Sequence, residues 1–369
     1  MGAPFSTQQI ARSEYFTDRE REVARVVEAM RGRDRLVLYG ERRMGKSSII
    51  ERAAELVRSG GGVVLTANAW TITDLDDLNR GLMQAVPGDW LLGDRIGQLI
   101  RALRGMVVLT ADDSGRPALE LTGRPPRDSA PQDRFREILR QLDVLAADHE
   151  APVVVVIDEF QRLEDAHPEG GAILRDIVQE ASHLAFVFAG SIVGLVMDLL
   201  GPKGAFHAID RIEVRAIAPE HLKSWVQHRL ATHGTRITAP GMDRLYELAG
   251  PVTEYVVRLA KDVHRMGRGR HPLGPSEVER AFDEVLGDTA GTYELVWDRL
   301  ATGKRQVLRA IADGHQQLAS REVIEDYGIG SSSAVSYAVD QLRRDGHLAP
   351  GKPYRISDPF FAAWVRRQP

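Results

Sequence analysis

The sequence predicts an α/β fold, a parallel sheet interleaved with helices, continued by an all-helical stretch and a winged helix. Three observations carry this. Leu36-Val37-Leu38-Tyr39 leads into Gly40-Glu41-Arg42-Arg43-Met44-Gly45-Lys46-Ser47-Ser48, a strand, a G-x-x-x-x-G-K-S loop and the opening of a helix. Val153-Val154-Val155-Val156-Ile157-Asp158-Glu159 is an unbroken apolar run closed by two carboxylates, as expected of a strand buried on both faces of a parallel sheet. Beyond residue 218 the alternation of strand and helix stops, and apolar residues recur at helical spacing.

Taken in order, residues 17–31 predict a charged helix, with Thr17-Asp18 as its cap and Val23, Val26 and Val27 on one face. Residues 36–39 form the first strand and 49–57 the helix after the loop. Val63-Val64-Leu65-Thr66-Ala67 follows a glycine pair and reads as the second strand. Leu75, Leu78, Leu82 and Met83 share a helix face, and Pro87-Gly88 breaks it. Residues 92–104 suit a short helix. Residues 106–110 and 118–122 flank Asp112-Asp113-Ser114-Gly115-Arg116, a hairpin signal. A proline-rich loop over 123–131 precedes a helix carrying Phe135, Ile138, Leu139, Leu142 and Leu145. After the second motif, a helix over 170–182 leads to a strand at 184–191, and 209–214 supplies a fifth strand containing Arg211.

Helices are expected over 219–232, 241–249, 252–266 and 275–286, with Pro219-Glu220 as a start signal. The C-terminal stretch gives helices at 304–312, 320–327 and 331–344, then a hairpin wing from Gly346-His347-Leu348 to Tyr354-Arg355-Ile356 with Pro350-Gly351-Lys352-Pro353 at its tip. Helix-turn-helix plus hairpin is the winged-helix pattern. The domains are expected at 1–217 (hairpin insertion at about 105–123), 218–290 and 291–369.

The chemistry follows from residue type. Glycines at 40 and 45 let successive backbone N–H groups turn toward phosphate oxygens, and the following helix points its positive end at the same anion. Loop residues Gly40, Glu41, Arg42, Arg43, Met44, Gly45, Lys46, Ser47 and Ser48 would cradle the phosphates. Lys46 would reach the terminal ones, and the Ser47 hydroxyl would ligate Mg²⁺. Arg42 and Arg43 have three open readings: phosphate, a neighbouring subunit or solvent. Ligands of open α/β sheets bind at the carboxyl ends of strands. Asp158 there would hold Mg²⁺, and Glu159 would act as general base on water. Ser191, a hydroxyl at a strand end, suits either a hydrogen bond to the γ-phosphate or water, or a helix cap.

The C-terminal stretch 301–369 holds ten Lys/Arg against seven Asp/Glu, a net of +3. Its third helix offers Ser332, Ser333, Ser336, Tyr337, Arg343 and Arg344, and the wing offers Lys352, as candidate contacts to double-stranded DNA. Asp340 and three acids on the second helix oppose this, and a protein partner or self-association remains the other reading. Trp225, Trp297 and Trp364 are expected as core or interface anchors.

Composition narrows the rest. The chain has 369 residues, 43% hydrophobic and 27% charged, with a formal net charge of −4 that argues against a whole-surface grip on polyanions. No cysteine is present, which excludes disulfides, thiol catalysis and cysteine-ligated metals and fits a cytoplasmic setting. Residues 1–6 lack the pattern of a secretory leader, and no apolar run approaches the roughly 18 residues of a membrane span. Neither H-E-x-x-H nor an N-K-x-D guanine-reading motif occurs.

Phe16-Thr17-Asp18-Arg19-Glu20-Arg21-Glu22, the loop with its Arg42-Arg43 pair, Ile157-Asp158-Glu159-Phe160-Gln161 and Ala189-Gly190-Ser191 together resemble the archaeal-type AAA+ ATPase family, near the STAND NTPases and origin-recognition ATPases. The stretch from Tyr354 to Trp364 is similar to that family's winged-helix ending. The resemblance implies a five-stranded parallel ATPase sheet, a helical lid and a winged helix. It implies ATP (and ADP) with Mg²⁺ as ligands, an adenine pocket around Tyr15–Arg19 that includes Phe16 and Arg19, and Ser191 as the sensor-1 residue. Arg211 sits where relatives carry an arginine that touches the γ-phosphate in its own subunit or a neighbour's; a structural ion pair is the other reading. The lid departs from the family pattern: Ala249-Gly250-Pro251-Val252-Thr253 stands where a sensor arginine is usual. Two functions stay open, an ATP-driven switch acting on DNA and a STAND-like switch acting on protein partners. A P-loop kinase fits less well, since an all-helical region follows the buried Asp-Glu pair.

Overall fold

A computed structural model describes residues 4–5, 16–87, 107–111, 117–121, 130–167, 170–191, 196, 209–267 and 271–368. The helix expected at 92–104 and the hairpin tip at 112–116 lie outside these. The chain divides into two compact units, Arg19–Gly40 with Lys46–Val214, and Met1–Asp18 with Glu41–Gly45 and Arg215–Pro369.

The first unit is an α/β layer structure. Its strands β1 (Arg35–Tyr39), β2 (Val63–Asn68), β5 (Val153–Asp158), β6 (Leu184–Gly190) and β7 (Asp210–Glu213) form one parallel sheet in the order β2-β5-β6-β1-β7. β3 (Val107–Ala111) and β4 (Pro117–Leu121) pair antiparallel as the expected hairpin. Every residue of β6 is buried, and all of β5 up to Asp158. Each Val, Ile or Phe sunk this way contributes roughly 1.5–3 kcal/mol, which fixes the central strands. Because the run is apolar to Ile157, the first carboxylate falls at the sheet's carboxyl edge. There Asp158 lies opposite Asn68 on one side and Ala189 on the other, and Gly190 lies opposite Tyr39.

The helices of this unit are α1 (Glu20–Gly32), α2 (Lys46–Ser59), α3 (Leu75–Gln84), α4 (Pro131–Ala147), α5 (Leu163–Ala166) and α6 (Gly170–Glu180). Arg35 ties β1 to the end of α6, its guanidinium donating to the carbonyls of Val178 at 2.7 Å and Ala181 at 2.6 Å. One expectation is corrected here. Thr17-Asp18 does not cap α1; the N-cap is Arg19, with no side-chain capping bond, and Asp18 is left-handed at φ 49°.

The second unit is helical: α7 (Pro219–Thr232), α8 (Ala239–Ala249), α9 (Thr253–Gly267), α10 (Pro275–Arg299), α11 (Thr302–Ala312), α12 (Arg321–Asp326), α13 (Ser332–Arg344) and α14 (Pro359–Arg366). The helix expected to end at 286 runs on to Arg299, across the 290/291 division. Gly287 and Gly291 lower its propensity by about 1 kcal/mol each. Tyr293 and Trp297, both buried, prolong the apolar stripe and pack with Phe361 and Trp364 of α14. α14 is announced by Asp358-Pro359: the Asp358 carboxylate accepts from the Phe360 and Phe361 amides at 2.9 and 3.1 Å. Ser320 and Ser331 cap α12 and α13 in the same way. The wing is slighter than expected, a single antiparallel bridge between Leu348 and Ile356 in place of two regular strands.

Candidate active site

The glycine loop joins β1 to α2. Gly40 leaves no room for any side chain, since a Cβ there would lie 2.4 Å from the Val214 carbonyl oxygen, and its φ is +154°. Lys46 opens α2, is only 5% exposed, and donates from Nζ to the Gly40 carbonyl at 3.0 Å. A buried ammonium at a helix N-terminus is a setting that favours an anion. The next residue, Ser47, donates from Oγ to Asp158 Oδ2 at 2.8 Å. The strand end and the helix start therefore meet through the two residues expected to share a metal.

Asp158 is half-buried. Burial pushes its carboxyl above the ordinary value, helped by the charge of Glu159 and opposed by the Ser47 hydrogen bond and by Lys46. Ser47 and Asp158 supply hard oxygen donors, the kind Mg²⁺ takes in small number beside phosphate and water. Among the described residues no group of three or more His, Asp or Glu side chains could hold a metal unaided.

Glu159 is left-handed, φ 55°, a conformation a non-glycine residue adopts at a cost of about 1–3 kcal/mol. Its amide donates to Asp158 Oδ1 at 2.9 Å. Its carboxylate is held on both oxygens: Oε1 accepts from the Ser191 hydroxyl, and Oε2 from Gln161 Nε2 at 2.6 Å. Ser191 is thus bonded to the glutamate and caps no described helix. Gln161, 1% exposed on the 3₁₀ turn Phe160–Arg162, has no place among the sequence-derived site residues. The signal for it was its place in the Ile157–Gln161 stretch that carries the family resemblance, two residues after Glu159.

Other candidates are placed as follows. Arg19 is buried and paired with Glu22 at 2.9 Å, Phe16 is half-buried, and Tyr15 lies outside the described residues. Met44 and Ser48 are buried. Within the second unit, Glu41 accepts from one terminal nitrogen of Arg355 at 2.6 and 2.8 Å. Arg43, left-handed at φ 68°, lies 3.4 Å from Glu254 and 5.0 Å over the Tyr255 ring. This contact within its own chain is none of the three readings the sequence offered for Arg43. Arg211 is exposed and opposite Val37, two residues short of the strand's end, and is not brought to the Lys46–Asp158–Glu159 cluster.

In the winged region, Ser333, Ser336, Arg344 and Lys352 are exposed, as is Tyr337 at 68%. Arg343 departs from the expected outward face: it donates to the Gly351 carbonyl at 2.8 Å and lies 5.4 Å over the Tyr354 ring. It fixes the wing to α13.

Residues 15–187 match the family model for the AAA ATPase domain, and 291–367 the model described as a probable winged helix domain. No curated protein matches the chain. Among solved structures, the Walker-type ATPase PABY2304 of Pyrococcus abyssi is similar over 98% of this chain and 99% of its own, with TM-score 0.67 and 18% identity. The Aeropyrum pernix ORC2 protein in its ADPNP–ADP complexes aligns over 98% and 96%, with TM-score 0.59 and 16% identity. The Aeropyrum pernix ORC1 protein in complex with DNA aligns over 96% and 93%, with TM-score 0.53 and 14% identity. At these identities the likeness is one of fold.

Proposed function

From a chain that carries an AAA ATPase domain and a winged helix domain, we propose an ATP-dependent molecular switch whose nucleotide state governs engagement of duplex DNA. The observation that carries this reading is the cluster in which Lys46, Ser47, Asp158, Glu159 and Ser191 meet at the carboxyl edge of the sheet. The loop 40–48 binds the phosphates, with Phe16 and Arg19 on the adenine side. Lys46 exchanges its bond to Gly40 for phosphate oxygen. Ser47 and Asp158 hold Mg²⁺, which when bound neutralises phosphate charge. Glu159 takes the proton of the attacking water, and Ser191 reports the terminal phosphate. Arg211, exposed on the edge strand, is read as a γ-phosphate contact in its own subunit or a neighbour's, with a structural ion pair as the other reading. The division of labour follows 1–217, 218–290 and 291–369 as core, lid and winged helix. Slow turnover suits a switch.

DNA as the output is supported by the exposed Ser333, Ser336, Arg344 and Lys352 and by the fold likeness to an ORC1 protein solved with DNA. A test is binding to labelled duplex DNA across a salt series, with ATP, ADP and Glu159→Gln. Binding that needs ATP, weakens steeply with salt and is trapped by the variant supports the reading.

A second reading, a STAND-like switch that recruits a protein partner or a second copy, is favoured by one observation. Arg343 is spent on the wing while Asp340, Glu322, Glu325 and Asp326 are exposed. Absence of DNA binding in every nucleotide state would select it.

A further inference from the structure

Gln161 is a buried amide that neither packing nor the expected catalytic set requires. It is 1% exposed, and among the described residues its Oε1 has no hydrogen-bond partner. Leaving a buried acceptor unmade carries a desolvation penalty, and a leucine of similar volume would not incur it. The amide's orientation is set by chemistry. Turning the oxygen toward Glu159 would place acceptor against carboxylate, so Nε2 faces Oε2 at 2.6 Å. Gly190 makes the arrangement possible, since a Cβ there would lie 2.8 Å from Gln161 Oε1 and 2.4 Å from Val196 Cγ2. The turn carrying Gln161 is anchored by Phe160, whose ring lies 5.6 Å from that of Phe188 on β6.

We infer that Gln161 is the positioning residue for the Glu159 carboxylate, holding Oε2 so that Oε1 is the oxygen left for water. This rests on the hydrolytic reading given above. The two bonds on the carboxylate differ in kind. Ser191 sits at the end of β6 and is the group expected to turn to a terminal phosphate; once it does, Oε1 is released. Gln161 is enclosed beside Gly190, and among the described residues its amide nitrogen donates to Glu159 alone, so its bond persists. A glutamate already strained at φ 55° is then kept from swinging as its first partner leaves.

Two variants test this in the full chain with Mg²⁺–ATP. Gln161→Leu removes the donor at nearly constant volume. The expected result is kcat lowered by roughly tenfold or more, with KM and the melting temperature close to wild type. Gln161→Glu sets a second carboxylate against the first, so the pair shares a proton and the acidic limb of the kcat–pH profile moves to higher pH by about one unit or more. A structural role would leave that limb in place. Wild-type turnover in a folded Gln161→Leu, or an unmoved limb in Gln161→Glu, overturns the inference. If Glu159→Gln abolishes turnover while both Gln161 variants behave as wild type, only this inference fails. If the wild type binds ATP and never hydrolyses it, the hydrolytic reading fails and takes this one with it.

Discussion

Ser47 donates its hydroxyl to Asp158 at 2.8 Å, joining the first turn of α2 to the end of β5 across 111 residues of sequence. Each residue is half-buried, and each is an oxygen donor of the kind a phosphate-bound Mg²⁺ takes. Removing the Ser47 hydroxyl should therefore weaken nucleotide binding mainly when Mg²⁺ is present. For Ser47→Ala the expected loss in Mg²⁺–ATP affinity by titration calorimetry is roughly tenfold or more, with little change when metal is chelated. An equal loss with and without metal would contradict the shared-metal role.

Asp158 gives the pH dependence. Its carboxyl is raised in the folded chain, chiefly by burial, so folding favours the protonated form. Its contribution to stability is complete below the unfolded value and is lost as pH rises through the raised folded value. At neutral pH the ionised, half-buried carboxylate is thus a cost. Asp158→Asn keeps an acceptor for Ser47 and removes the charge. It should melt above wild type at pH 7 without metal, and the gap should close on acidification. Saturating Mg²⁺–ATP should stabilise wild type and not the variant. A lower metal-free melting point for the variant at pH 7 would refute this.

Glu159→Gln should leave ATP binding intact and lower the rate of hydrolysis by about 10²–10⁴-fold, the usual contribution of a positioned base. Binding and single-turnover hydrolysis measured on the same preparation separate the two effects. Unchanged turnover would remove Glu159 from the role.

Much of this site is legible in the sequence because its determinants are local. The glycine spacing, the apolar run ending in Asp158-Glu159 and the strand ending in Gly190-Ser191 each place a chemical group at the same edge of one sheet. What local pattern does not reveal is pairing at a distance. Ser191 reaches Glu159 only because β5 and β6 are neighbours in register, there joining Gln161, which reaches it from two residues on. Arg343 looks like an outward-facing base on α13 until the wing folds back to accept its guanidinium. α10 outruns its predicted end because Tyr293 and Trp297 find partners on α14, far along the chain.

Arg355 and Glu41 form a pair whose partners sit in the wing and the glycine loop, and Glu41's side chain is only 12% exposed. Arg355→Ala withdraws two charge-assisted hydrogen bonds from that carboxylate. A double-mutant cycle with Glu41→Gln should give a coupling of roughly 1 kcal/mol, discounted because Arg355 is 36% exposed. Additive effects in thermal melts would mean the pair is incidental.

On the DNA reading, Arg344→Ala and Lys352→Ala should each reduce the salt dependence of duplex binding by about one counterion without unfolding the chain. Arg343→Ala should instead loosen the wing, lowering the melting temperature. Equal behaviour of all three in the salt series would contradict the split between contact residues and wing anchor.

The most direct measurement is calorimetric titration of Mg²⁺–ATP into the wild-type chain and into Lys46→Ala. Lys46 is buried with its ammonium on the Gly40 carbonyl, so its removal takes away the charge-assisted bond that awaits the phosphate. The expected result is clear binding by wild type and a loss of roughly 10- to 100-fold or more in the variant, with the fold retained. Equal binding by both, or none by wild type, would contradict a nucleotide site at this loop.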